Sequence, residues 1–233
     1  MEKSISTTFN ELTYARDLAA SQGRLGSKPR WQKTMKRSLD VGGALAFLIL
    51  FSPLLLGVAL LLLVAQGRPI LFKHKRVGKN GEVFECLKFR TMVKDAGSVL
   101  DSHLAATAAA RREWETTQKL KDDPRITPLG HVMRKLSVDE LPQFLNVLMG
   151  QMSLVGPRPI VSAETRFYGP HILAYYSMRP GITGPWQVGG RSNATYAYRV
   201  QLDVDYAHNW SLGRDIAILV KTVPAVLTQD GSC

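Results

Sequence analysis

Cysteine is almost absent from this chain. Its 233 residues hold two, Cys86 and Cys233. They form no paired or metal-like spacing, which excludes a disulfide framework and a zinc site and fits a reducing, cytoplasmic setting for the soluble part. No internal repeat is present. The N-terminal stretch lacks a secretory signal: residues Met1 to about Arg30 are polar, Gly23, Gly26, Ser27 and Pro29 cluster at their end, and the first apolar run comes late without a cleavage-like flank. Acids are also scarce, with 19 Asp and Glu against 30 Lys and Arg and a formal charge of +11. That excess implies acidic partners: nucleic acid, anionic lipid or phosphorylated substrates.

Charge of either sign is missing from the 25 residues Val41–Ala65. Such a run is long enough to cross roughly 30 Å of hydrocarbon. Two features favour a different path. Ser52-Pro53 lies at mid-run, where proline removes a helix hydrogen bond and Ser52 can satisfy a freed carbonyl. Cations flank both ends: Lys28, Arg30, Lys33, Lys36 and Arg37 before, Arg68, Lys73, Lys75, Arg76 and Lys79 after. The positive-inside rule then wants both ends in the cytoplasm. A helix broken at Ser52-Pro53 that re-enters through one leaflet satisfies both. Asp40 is expected to pair with Lys36 or Arg37 near the headgroups, and the basic flanks to hold anionic lipid.

Arg134–Pro159, RKLSVDELPQFLNVLMGQMSLVGPRP, is the densest stretch. Leu141, Phe144, Leu145 and Leu148 recur at helical spacing and Gly150 is a natural stop. Pro142 is tolerated only in a first turn, which puts Asp139 at or near the N-cap. One reading is therefore structural: Asp139 caps and Glu140 suits the helix dipole. The other is chemical. Cations surround the pair in sequence, and Pro157 and Pro159 fix the backbone on both sides of Arg158, aiming its guanidinium. A carboxylate pair with aimed arginines suits phosphoryl chemistry on a diphosphate, with a divalent metal between carboxylate and phosphate.

DELPQ, NVLMGQMSLVGPRP and the later RPGITGPWQVGGR resemble the bacterial sugar transferases, the monotopic polyprenyl-phosphate phosphoglycosyl transferases that begin exopolysaccharide assembly. The resemblance runs from about Lys36 to about Val226. It implies transfer of a sugar-1-phosphate, galactose-1-phosphate first among the candidates, from a UDP-sugar to undecaprenyl phosphate with release of UMP. Glucose or an N-acetylated sugar would use the same motifs. It further implies Asp139 as nucleophile, a covalent phosphosugar intermediate, Glu140 as a ligand of Mg²⁺ together with Asp139, and residence at the cytoplasmic face of the bacterial inner membrane, in contact with its lipid. A homo-oligomer is compatible with it.

Elsewhere the patterns are local. Ile70–Val77 and Glu82–Phe89 flank an Asn-Gly turn and predict a hairpin. Its end carries Lys88 and Arg90, either a charge-protected edge or phosphate ligands. Asp95–Lys121 predicts one or two surface helices, with Trp114 packed or at the membrane interface. Asp123 is a turn acid or a metal contact. Ala163–Tyr176, Tyr196–Trp210 and Leu212–Leu227 predict helices, the last core-packed or lying on the membrane. Arg134, Arg179 and Arg191 are further phosphate candidates, and Trp186 packs or stacks on a uracil.

The resulting expectation is an α+β, mainly helical protein. Residues 1–35 form a polar tail, 36–66 a re-entrant membrane helix, and 67–233 one catalytic domain with a small β-hairpin. Two other function classes stand against the enzyme. A nucleic-acid-binding protein explains the charge but not the apolar run. A non-catalytic basic membrane scaffold explains the anchor but leaves Asp139 and Glu140 idle.

Overall fold

A computed structural model describes residues 28–117, 120–189 and 195–227. In chain order it contains helix α1 (Arg30–Leu50), α2 (Ser52–Gln66), strands β1 (Leu71–Val77) and β2 (Val83–Phe89), α3 (Ala96–Ala106), α4 (Ala108–Thr117) and α5 (Pro128–Lys135). A 3₁₀ turn at Val138–Glu140 leads to α6 (Gln143–Leu148), β3 (Ser153–Val155), α7 (Thr165–Tyr168), α8 (Ile172–Tyr176), β4 (Gly181–Thr183), α9 (Pro185–Gly189), α10 (Tyr196–His208) and α11 (Leu212–Leu227). The fold is α+β and mainly helical, with the hairpin where the Asn-Gly turn put it. Asn80 there takes φ of 59°, as such a turn requires.

The apolar N-terminal run is a bent pair. Helices α1 and α2 meet at 63°, and no single described helix is long and apolar enough to cross a membrane. The break falls at Phe51, and Pro53 sits in the first turn of α2. Proline thus starts the second arm, where its missing N–H costs nothing.

The chain divides into two compact units. Among the described residues, the first takes 28–50, His74–Cys86 and those from Gln143 to 227; the second takes Phe51–Lys73 and Leu87–Pro142. In the first unit Ala44, Phe84, Cys86, Val147 and Met152 form one core cluster. Two others form around Ile160, Tyr168 and Tyr175, and around Val155, Tyr206 and Trp210. Strands β3 and β4 pair in parallel, Ser153 with Gly181 and Val155 with Thr183. Their approach needs glycine: a Cβ on Gly181 would meet the Gly156 nitrogen at 2.1 Å.

Helix α1 is pinned to this unit by side chains that change partners from those expected. Asp40 is buried and accepts from the Ser153 hydroxyl and the Leu154 N–H, both at 2.9 Å. Lys36 pairs instead with Asp215 at 2.7 Å, and Arg37 donates to the carbonyls of Val147 and Leu148. A buried carboxylate is best held by such fixed backbone and hydroxyl donors.

Ala163–Tyr176 is not one helix. Gly169-Pro170 splits it into α7 and α8. The apolar stripe expected of α6 holds in part: Phe144 and Leu148 pack against the first core cluster, while Leu145 is exposed and Gln143, Asn146 and Val147 are the buried residues. Asn146 is held by the Glu85 carbonyl and the Gln151 side chain, so a satisfied amide takes the inward position.

In the second unit Leu62, Phe89 and Met133 form the core, with Leu55, Val58, Leu129 and Val138 against them. The outward face of α2 is apolar, with Leu56, Leu60 and Val64 exposed. Arg125 clasps Asp123 with two charged hydrogen bonds of 2.7 and 2.6 Å and lies over the Trp114 ring. Asp123 thus takes the turn position, also accepting from the Arg125 N–H at 3.0 Å.

Candidate active site

The second unit assembles one compact cluster of charge. It begins with Thr127, whose hydroxyl caps α5 by accepting from Gly130 N at 3.0 Å. Gly130 lies so close to Thr91 that a Cβ would meet its carbonyl oxygen at 2.1 Å. Helix α5 therefore seats directly on Thr91, two residues past the β2 end, and Arg134 Nε donates to Thr91 Oγ1 at 2.9 Å. The helix ends at Lys135. Ser137 then takes a left-handed φ of 55°, a conformation costly for serine, and the chain turns through Val138–Glu140.

This turn delivers the acid pair. Asp139 is buried and Glu140 is partly exposed. Lys88 reaches both: its Nζ donates to Glu140 Oε1 at 2.5 Å and lies 4.0 Å from Asp139 Oδ2. Asp139 does not cap a helix, because α6 begins only at Gln143. Pro142 admits the helix just after itself, leaving Asp139 in a separate 3₁₀ turn. The structural cap reading thus loses its geometry.

Burial pushes the Asp139 carboxyl up to about 6, with the neighbouring Glu140 charge adding to the rise and Lys88 and Arg134 opposing it. The group is still ionised at neutral pH, but little hydrated, a combination that favours nucleophilic oxygen. The pair also fits magnesium held in an open way. Among the described residues no three acids or histidines converge into a closed metal cage. Two neighbouring carboxylates, the Glu140 charge acting on Asp139, match the usual Mg²⁺ habit of one or two carboxylates plus phosphate oxygens.

Arg90, expected among the phosphate ligands, turns away. Its Nη2 donates to the Gln66 and Gly67 carbonyls at 2.6 and 3.0 Å, and its Nε to Gln66 Oε1. It fastens the end of α2, while Gln66 also donates to Thr127. Strand β2 ends at Phe89, so the alternation that aims Lys88 does not extend to Arg90. Gln66, Thr91 and Thr127 had no signal in the sequence, since each is an ordinary polar residue far from the others in the chain.

The first unit holds the remaining candidates. Arg158 is exposed, and its loop is fastened by Arg76, which donates to the Pro159 carbonyl at 3.1 Å and pairs with Glu164 at 3.7 Å. Arg179 Nε donates to the Gly150 carbonyl at 2.7 Å. Trp186 is partly buried in α9. Arg191 lies outside the described residues.

A family model described as bacterial sugar transferase matches residues 31–229. The chain belongs to the bacterial sugar transferases. This transferase is 49% identical over 197 residues to exopolysaccharide production protein ExoY of Sinorhizobium fredii, covering 84% of this chain and 87% of that one. It is 47% identical over 203 residues to undecaprenyl-phosphate galactose phosphotransferase of Salmonella typhimurium, covering 87% of this chain and 42% of the relative. It is 40% identical over 206 residues to UDP-glucose:undecaprenyl-phosphate glucose-1-phosphate transferase of Caulobacter vibrioides, covering 84% and 71%.

Proposed function

We propose that this transferase moves a sugar-1-phosphate from a UDP-sugar to undecaprenyl phosphate, releasing UMP, as the first membrane step of exopolysaccharide synthesis. The observation that carries the chemistry is the buried, still ionisable Asp139 beside Lys88. A carboxylate oxygen of Asp139 attacks the β-phosphorus of the donor. The bond to the bridging oxygen breaks, UMP leaves with the electron pair, and an aspartyl phosphosugar remains. An oxygen of the lipid phosphate then attacks the same phosphorus and returns Asp139 as carboxylate. No base is needed at either step, because both nucleophiles are already anions. Their approach to a charged diphosphate must instead be screened. Lys88 and Arg134 supply fixed positive charge at the acid pair, and Mg²⁺ held by Asp139 and Glu140 would neutralise diphosphate charge when bound.

The bent helix pair with basic flanks supports a monotopic, re-entrant placement with the catalytic residues at the cytoplasmic face of the inner membrane. Galactose is favoured by the name and 47% identity of the S. typhimurium relative, against 40% for the glucose-named one. The test is incubation of purified protein with undecaprenyl phosphate and a panel of UDP-sugars. UDP-galactose should release UMP fastest. Release from no UDP-sugar would sink the transferase reading and leave the scaffold.

The same assay has a pH signature. Only ionised Asp139 attacks, and its carboxyl sits at about 6. The specificity constant should therefore rise roughly tenfold per pH unit below about 6 and level off above it. A flat profile between pH 5 and 8 would show that Asp139 is not the group that must ionise.

A further inference from the structure

The first unit contains a cleft of about 110 Å³ whose lining includes Lys28, Lys33, Lys36, Arg37, Lys79 and Arg179. They come from the start of α1, the hairpin turn and the residue before Pro180, so the fold itself gathers them. Among the described residues Asp40 is the one carboxylate in the lining, and its Oδ1 is already engaged by Ser153 and Leu154. Asp215 neutralises Lys36. Arg37 and Arg179 donate to backbone carbonyls, which satisfy hydrogen bonds without cancelling charge. Burial, together with the charges of Arg179 and Lys33, pulls the Lys79 ammonium below its ordinary value. Among the described residues, cations from three separate segments thus line one concave place with a single carboxylate, an arrangement that a bound anion stabilises.

We propose that this cleft is a binding site for a phosphoryl group, carried either by a membrane lipid headgroup or by a soluble phosphate compound. The chemistry is suited to it. Lysine ammoniums act as point charges, while the terminal nitrogens of Arg179 offer a planar fork for phosphate oxygens. The volume is well below the roughly 300–1,000 Å³ of sites for drug-sized ligands, so it takes a small anionic group rather than a whole nucleotide sugar. Its position favours a lipid source. Lys33, Lys36 and Arg37 occupy the first turns of α1, and the same helix carries no charge beyond Asp40 and ends with Ile49 and Leu50 exposed. A headgroup phosphate lies at that level when the apolar end enters hydrocarbon. The site uses none of the acid-pair residues and stands whether or not Asp139 is a nucleophile.

The test titrates inorganic phosphate into the full chain in neutral detergent with EDTA present, followed by calorimetry. Lys28→Gln with Lys79→Gln should bind at least about tenfold more weakly. A control of equal charge loss, Lys75→Gln with Lys221→Gln, should change by no more than about twofold, since neither residue lines the cleft. Lys79→Arg should retain binding, which separates lost charge from a lost fold. A second arm measures binding to phosphatidylcholine vesicles with and without phosphatidylglycerol. If the cleft pair loses the anionic-lipid increment and the control pair keeps it, the phosphoryl group is a lipid's. If the two pairs behave alike on vesicles but differ on phosphate, it is a soluble compound's. Equal behaviour of the two pairs in both arms overturns the proposal.

Discussion

Asp139→Asn should give a folded protein that releases no UMP, with turnover lowered by at least about 10³-fold, the scale of losing a nucleophile. The amide matches the carboxylate in size, so packing is kept. Stability should rise. With Asp139 held at about 6 in the fold, the folded state binds the proton more tightly than the unfolded chain. The contribution is therefore present at low pH and lost as pH rises from about 4 through about 6. One pKa unit is about 1.4 kcal/mol, so an ionised Asp139 costs the fold on the order of 3 kcal/mol at neutral pH. Asparagine removes that cost. Its melting temperature should exceed wild type at pH 8 and converge with it near pH 4. A purely structural acid predicts an active or destabilised variant instead.

Lys88→Met should be the next most damaging change, on the order of 10²-fold in turnover, as for loss of one fixed charge at a reacting anion. Lys88 is the strongest of the charges holding Asp139 down and the hydrogen-bond donor to Glu140. Without it the carboxyl rises further, so the pH midpoint of the specificity constant should move upward from about 6. Activity should recover partly in alkali. Lys88→Arg keeps the charge and should hold the midpoint near wild type while misplacing it. A midpoint unmoved in Lys88→Met would mean that Lys88 does not tune Asp139.

How legible this was in the sequence varied with the range of the interaction. The bent helix pair followed from missing charge, Ser52-Pro53 and basic flanks, all within one stretch. The hairpin followed from Asn80-Gly81. Lys88 and the acid pair were each visible, but their contact spans 52 residues, and no local pattern encodes it. The capping expectation for Asp139 failed because Pro142 can start a helix or precede one, and the 3₁₀ turn chose the second. Strands β3 and β4 have three residues each, too few to show a period of two. Asp40 found Ser153 and Leu154 rather than its helical neighbours because backbone donors already sat beside it. The cleft cations come from separate segments, so only folding reveals that they share a wall.

Passage of the phosphosugar through Asp139 is what the mechanism stands on. It is tested most directly by mixing the protein with labelled UDP-galactose without lipid acceptor, quenching, and locating the adduct by mass spectrometry. A phosphosugar mass should appear on the peptide containing Asp139 and be absent from Asp139→Asn, with one UMP released per adduct and loss of the adduct when undecaprenyl phosphate is added. If no adduct forms and no UMP appears until acceptor is present, under conditions that support turnover, transfer is direct and Asp139 is not the nucleophile.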